Sequence, residues 1–206
     1  FVTAARYFDR IESGTTQTAA TDVGAVMGVF GRSDRAYGTI NSSINQREMT
    51  INDLTADKGF IIRGASDGDN AGHSISSAGD VNGDGYSDGI VGAYQYSNGQ
   101  AGEGRFYVYH GAITGLSTIA TTMVESNSAS AQMGASVACV GDANGDGYSD
   151  VIVGAPVLQS GGVALVYYGS TTGVVGSNPT IPANGGINTS MGLSVASAGD
   201  VNGDGY

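Results

Sequence analysis

The chain has 206 residues and a formal net charge of −11, from 8 basic and 19 acidic side chains. That balance excludes nucleic acid as a partner, because phosphates need a basic face, and suits a protein that binds cations. Glycine supplies 35 residues and proline 3, with no Gly-X-Y period, so collagen and proline-rich disorder are excluded. No apolar run approaches the roughly 20 residues of a membrane helix, so no membrane insertion is expected of this segment. Neither a basic n-region nor an h-region follows Phe1-Val2-Thr3, so no signal peptide is expected within the chain. The single cysteine, Cys139, has no partner for an internal disulfide and leaves the redox compartment open.

In chain order, the first predicted element is a short strand over Phe1-Val2-Thr3-Ala4-Ala5. A second follows at Gly24-Ala25-Val26-Met27-Gly28-Val29-Phe30-Gly31, and a third at Phe60-Ile61-Ile62. The stretch from Gly72 then leads into an acidic loop, Asp80-Val81-Asn82-Gly83-Asp84-Gly85-Tyr86-Ser87-Asp88. After it come Gly89-Ile90-Val91-Gly92-Ala93, then Gly104-Arg105-Phe106-Tyr107-Val108-Tyr109-His110-Gly111, then Thr122-Met123-Val124. The whole order returns: a loop from Asp142 to Asp150, then Val151-Ile152-Val153-Gly154-Ala155, Gly162-Val163-Ala164-Leu165-Val166-Tyr167-Tyr168-Gly169 and Thr180-Ile181-Pro182. A third acidic loop opens at Asp200.

Short β-branched and aromatic runs bounded by Gly, Asn, Ser and Asp read as strands, and no segment carries a helical stripe. The unit recurs near every 60 residues and holds four strands, which is the blade of an all-β propeller built from antiparallel sheets. The expected units are a partial first blade over 1–66, blades over 67–126 and 127–187, and a further blade beginning at 188–206. The array is expected to be incomplete at both ends.

Each acidic loop sets side-chain oxygens at positions 1, 3, 5 and 9, with glycine at 6. These are Asp80, Asn82, Asp84 and Asp88 in the first copy and Asp142, Asn144, Asp146 and Asp150 in the second. Asp200, Asn202 and Asp204 begin a third. The carbonyls of Tyr86, Tyr148 and Tyr206, at position 7, would add a ligand. Hard oxygens on alternate residues of a tight loop suit Ca²⁺, which takes six to eight of them. An EF-hand is rejected, because position 12 is Val91 or Val153 rather than glutamate and strand character follows rather than a helix. Good Asp-Asn-Gly turn chemistry is the plainer alternative for one copy, and three copies in register favour the metal.

The segment Gly134 to Pro156, with Asp142-Ala143-Asn144-Gly145-Asp146-Gly147-Tyr148-Ser149-Asp150 and Gly154-Ala155-Pro156, resembles an FG-GAP repeat. That unit builds the blades of integrin α-subunit propellers and many bacterial surface proteins. The Phe of "FG" is replaced by Ala71, Met133 or Met191, and "GAP" is intact only at Gly154-Ala155-Pro156. The resemblance implies Ca²⁺ in a hairpin between the first two strands of each blade. It also implies an extracellular or cell-surface role in adhesion, ligand binding or surface structure, with a protein or carbohydrate ligand. A non-catalytic propeller segment of a larger secreted enzyme is one alternative, and the protomer of a self-assembling filament or homo-oligomer is another. Ligand choice is expected in variable loops such as 32–58 and 94–103.

The remaining signals are weak. His73 and His110 lack partners at metal-ligand spacing, and Cys139 takes the slot of Ser77 and Ser197, which suggests a small buried side chain. Tyr107, Tyr109, Tyr167 and Tyr168 are expected to pack between blades. No nucleophile elbow, zinc-protease helix or P-loop occurs, so the segment is not expected to be an enzyme. Asn41 and Asn188 fit the glycosylation pattern.

Overall fold

The computed structural model describes residues 2–5, 25–29, 59–66, 68–175, 180–182, 189–201 and 203. Among these, eleven strands form three antiparallel sheets, and the helical content is one 3₁₀ turn at Leu158–Ser160. The first sheet runs β1 (Val2–Ala5), β2 (Ala25–Val29), β3 (Gly59–Arg63). The second is a four-stranded meander of β4 (Ser74–Gly79), β5 (Asp88–Ala93), β6 (Arg105–Tyr109) and β7 (Thr122–Glu125). The third repeats it with β8 (Ser136–Gly141), β9 (Asp150–Ala155), β10 (Val163–Tyr167) and β11 (Thr180–Pro182). The fold is all-β, and its four-stranded antiparallel units are the propeller blades that the sequence predicts.

Strand alternation decides which way each side chain is buried. From the second sheet, Ile90, Phe106 and Val108 enter one core with Val137, Val151, Val153, Leu165 and Tyr167 of the third. The alternating Val91, Tyr107 and Tyr109 enter another core with Val26 and Ile62 of the first sheet. A sheet buried on both faces reads as a continuous apolar run, which is why β5 and β6 lack polar alternation. Phe106 and Tyr167 meet edge-on across the second interface, with centroids 4.8 Å apart. Tyr107, Tyr109 and Tyr167 therefore pack between sheets, as expected, whereas Tyr168 is half-buried past the end of β10 and bridges to Val175. Cys139 is only half-buried, and its Sγ lies 3.4 Å from the Gly141 amide. The expectation of a buried slot is corrected there, because Cys139 lies beside the β8 bulge rather than under the sheet.

The sheets are also fastened by backbone. Ser74 Oγ donates to Gly134 O at 2.8 Å, and one repeat later Ser136 Oγ donates to Gly192 O at 2.8 Å. A Cβ at Gly92 would sit 2.0 Å from Gly134 O, and one at Gly154 would sit 1.8 Å from Gly192 O. Only glycine allows that approach. Parallel bridges, Gly104 to Met133 and Gly162 to Met191, also recur one repeat apart.

Candidate metal site in the acidic loops

Each complete acidic loop is the hairpin between the first two strands of a four-stranded sheet, β4–β5 and β8–β9. A bulge at Ser77/Gly79 or Cys139/Gly141 ends the pairing and throws the chain into the turn. Gly83 and Gly85 take φ of +74° and +88°, and Gly145 and Gly147 take +76° and +91°. L side chains rarely adopt those values, so the turn depends on glycine at both positions.

Asp80 sits at the centre of its loop. Its Oδ1 accepts the amides of Gly83 (2.7 Å) and Asp84 (3.0 Å), and its Oδ2 accepts that of Gly85 (2.8 Å). Asn82 Oδ1 accepts Asp84 N–H, Asn82 Nδ2 donates to Asp84 Oδ2, and Asp84 Oδ1 accepts Tyr86 N–H. The loop from Asp142 repeats every one of these bonds, with Gly145, Asp146 and Gly147 donating to Asp142 and Tyr148 to Asp146. In the third copy, Gly203 N–H donates to Asp200 Oδ1. Asn202, Asp204 and Tyr206 lie outside the described residues.

The ninth positions are built differently. Asp88 is 3% exposed; its Oδ2 accepts Val81 N–H and its Oδ1 accepts Gly111 N–H. Asp150, fully buried, accepts Ala143 N–H and Gly169 N–H in the same way. Each one joins the acidic loop to the end of the third strand of its own sheet. Burial raises both carboxyls above the ordinary carboxylate value of 3.8. The charges of Asp146 and Asp142 add to the rise at Asp150, and that of Asp84 at Asp88. Asp84 itself is lowered, first by the amide of Asn82 and then by Tyr86 N–H.

This donor set fits a hard divalent cation. It offers three carboxylates, an amide oxygen and a position-7 carbonyl per loop, with no nitrogen or sulfur ligand. Among the described residues, no three Asp, Glu, His or Cys side chains converge as a metal cluster, because the carboxylates grip loop amides. Asp80 Oδ1 is filled by its two amides, but Asp80 Oδ2 and both oxygens of Asp84 and of Asp88 accept one N–H each and keep a lone pair for a cation.

A profile of the FG-GAP repeat matches residues 71–109 and 134–167, each span enclosing one complete acidic loop. This chain carries FG-GAP repeats. It is 37% identical over 120 residues to phosphatidylinositol-glycan-specific phospholipase D of Rattus norvegicus, covering 52% of this chain and 14% of that protein. It is 34% identical over 140 residues to integrin alpha-7 of Homo sapiens, covering 66% of this chain and 11% of that protein. Integrin alpha-PS3 of Drosophila melanogaster is 37% identical over 120 residues, covering 57% of this chain and 10% of that protein. The chain thus spans a small fraction of these curated relatives.

The two FG-GAP repeats differ beside the loop. His110 Nδ1 lies 3.2 Å from Asn82 Nδ2, where the second repeat has Tyr168. No sequence signal marks His110, which stands directly before the Gly111 whose amide holds Asp88. His73 is exposed, with its ring 4.3 Å from that of Tyr94. Loop 94–103 folds around Glu103, which is fully buried and accepts Asn98 N–H at 2.5 Å. Residues 32–58, Asn41 and Asn188 lie outside the described residues. No described helix is long and apolar enough to cross a membrane.

Proposed function

We propose that this chain is a calcium-stiffened, non-catalytic segment of an extracellular β-propeller that serves adhesion, ligand binding or surface structure. The observation that carries this reading is the bond-for-bond repetition of one oxygen-rich loop in two FG-GAP repeats. Crowded carboxylates whose buried members resist ionisation gain from a cation that neutralises them. Extracellular modules bind Ca²⁺ at about 10⁻⁴–10⁻³ M, which a cytosolic concentration would not fill. The names of the integrin relatives favour a propeller on the outside of a cell. A protein or carbohydrate ligand would meet the loops that connect the strands, 94–103 among them.

Calcium would be held by Asp80, Asn82, Asp84, the Tyr86 carbonyl and Asp88, and by their counterparts from Asp142 to Asp150. When bound, it supplies charge neutralisation and loop rigidity. Isothermal titration with Ca²⁺ tests this: saturable uptake that is lost in Asp84→Ala plus Asp146→Ala supports it, and absence of uptake overturns it.

A second reading, a propeller segment attached to a secreted enzyme, is favoured by the phospholipase relatives. An assay of the full-length protein on phosphatidylinositol-glycan-anchored protein decides between them. Hydrolysis favours the enzyme, and intact anchor favours the binding protein.

A further inference from the structure

The two acidic loops touch, through one proposed ligand of the first and a residue flanked by two proposed ligands of the second. Asp80 N–H donates to Ser149 Oγ at 3.1 Å, and Ser149 N–H donates back to Asp80 O at 2.9 Å. Asp80 is position 1 of the first loop. Ser149 is position 8 of the second, between Tyr148 and Asp150. A second link runs alongside: Gly169 N–H holds Asp150 Oδ1, and the adjacent Ser170 N–H donates to Val81 O at 3.0 Å. The surfaces leave no slack. A Cβ at Gly79 would lie 2.3 Å from Ser149 Oγ, and one at Gly83 would lie 2.7 Å from the Tyr148 ring.

From this geometry we infer that Ser149 is a positioning residue that couples the two calcium loops, so that filling one raises the affinity of the other. The inference rests on the calcium reading proposed above. A cation in the second loop fixes the Tyr148 carbonyl and the Asp150 carboxylate, and so fixes Ser149 between them. Ser149 then holds the Asp80 backbone in the orientation that the first loop needs. Linkage makes the effect reciprocal. Ordering needs no large movement, since a loop already rigidified by its neighbour loses less entropy on binding. The same contact would join each loop to the next wherever the repeat recurs.

The test is calcium titration calorimetry on the whole chain, reading the affinity of the second loop with the first intact or disabled by Asp84→Asn. Disabling the first loop should weaken the second by roughly 5-fold or more, the lower bound of ordinary coupling. Asp146→Asn should weaken the first loop by the same factor. Ser149→Ala should bring that factor toward one, and Ser149→Thr, which keeps the hydroxyl, should restore it. A merely structural role for Ser149 would weaken both loops and leave the factor unchanged, which overturns the inference. Two independent sites in the wild type overturn the coupling and leave the calcium reading standing. No uptake at all overturns both.

Discussion

At the scale of single residues, two kinds of glycine behave differently. Gly154 has no left-handed backbone, yet its Cβ would fall 1.8 Å from Gly192 O, and the clash is with main chain that cannot rotate away. Gly154→Ala is therefore expected to cost at least about 2 kcal/mol, within the range of overpacked sites. Gly147 has φ +91° and open space around its Cβ position, so Gly147→Ala meets only conformational strain of about 1–2 kcal/mol. Denaturant melts of the two variants in EDTA separate these cases: Gly154→Ala should be the worse. Equal losses would mean that the sheets yield at this contact. Buried Asp69 is a third case. Its carboxylate takes the amides of Ala65, Ser66 and Ala71, which three donors make hard to replace by an amide. Asp69→Asn would turn an NH₂ group toward an N–H donor and should lower stability by roughly 1–3 kcal/mol, measured the same way.

At the scale of the acidic hairpin, the carboxylates have two duties that pull in opposite directions. Asp84 and Asp146 order their loops through amides, and with Asp80 or Asp142 they also concentrate negative charge. Asp84→Ala or Asp146→Ala should lower the melting temperature in millimolar Ca²⁺ and change it little in EDTA. An ion bound only by the native state contributes about 2.7 kcal/mol at a hundredfold excess over Kd, and most of that is lost with a ligand. Equal losses in both buffers would make these residues turn formers only. The buried ninth position adds a pH signature. Asp150 has a raised folded value, so the metal-free fold binds its proton more tightly than the unfolded chain does. That contribution is full below the ordinary value of 3.8 and is lost as pH rises through the raised value. In EDTA, wild-type stability should therefore decline with rising pH relative to Asp150→Asn, across the window just above 3.8. With saturating Ca²⁺ the relative slope should invert, because the cation binds the ionised carboxylate. Parallel slopes in both buffers would contradict the electrostatic account.

At the scale of the whole molecule, sheets pack on sheets through apolar cores that each side chain enters according to strand alternation. This much was legible in the sequence. Runs such as Phe106-Tyr107-Val108-Tyr109 are apolar on both faces, and the register Asp80, Asp142, Asp200 counts the units. The hairpin position of the acidic loops was legible too, since the loop lies between two short runs. The inter-sheet fastening was not. Gly92 and Gly154 lie in predicted strand runs with nothing to mark them, and their constraint comes from carbonyls about 40 residues away in sequence. Nor could spacing reveal that Asp88 and Asp150 tie the loop to Gly111 and Gly169, because that bond depends on how the third strand ends. Nothing in the sequence singles out Glu103 and Asp69, yet both are buried where chain turns need acceptors. His110 read as background because its neighbour Asn82 is brought to it only by the fold.

If the acidic loops are cation sites, they stiffen the propeller only when filled. Calorimetric titration of the metal-free chain with Ca²⁺, followed by melting of the same samples, tests it most directly. Saturable binding is expected at no fewer than two sites per chain, one for each complete acidic loop, with a melting temperature that rises as they fill and falls back in EDTA. A flat titration and a melting temperature indifferent to EDTA would contradict it.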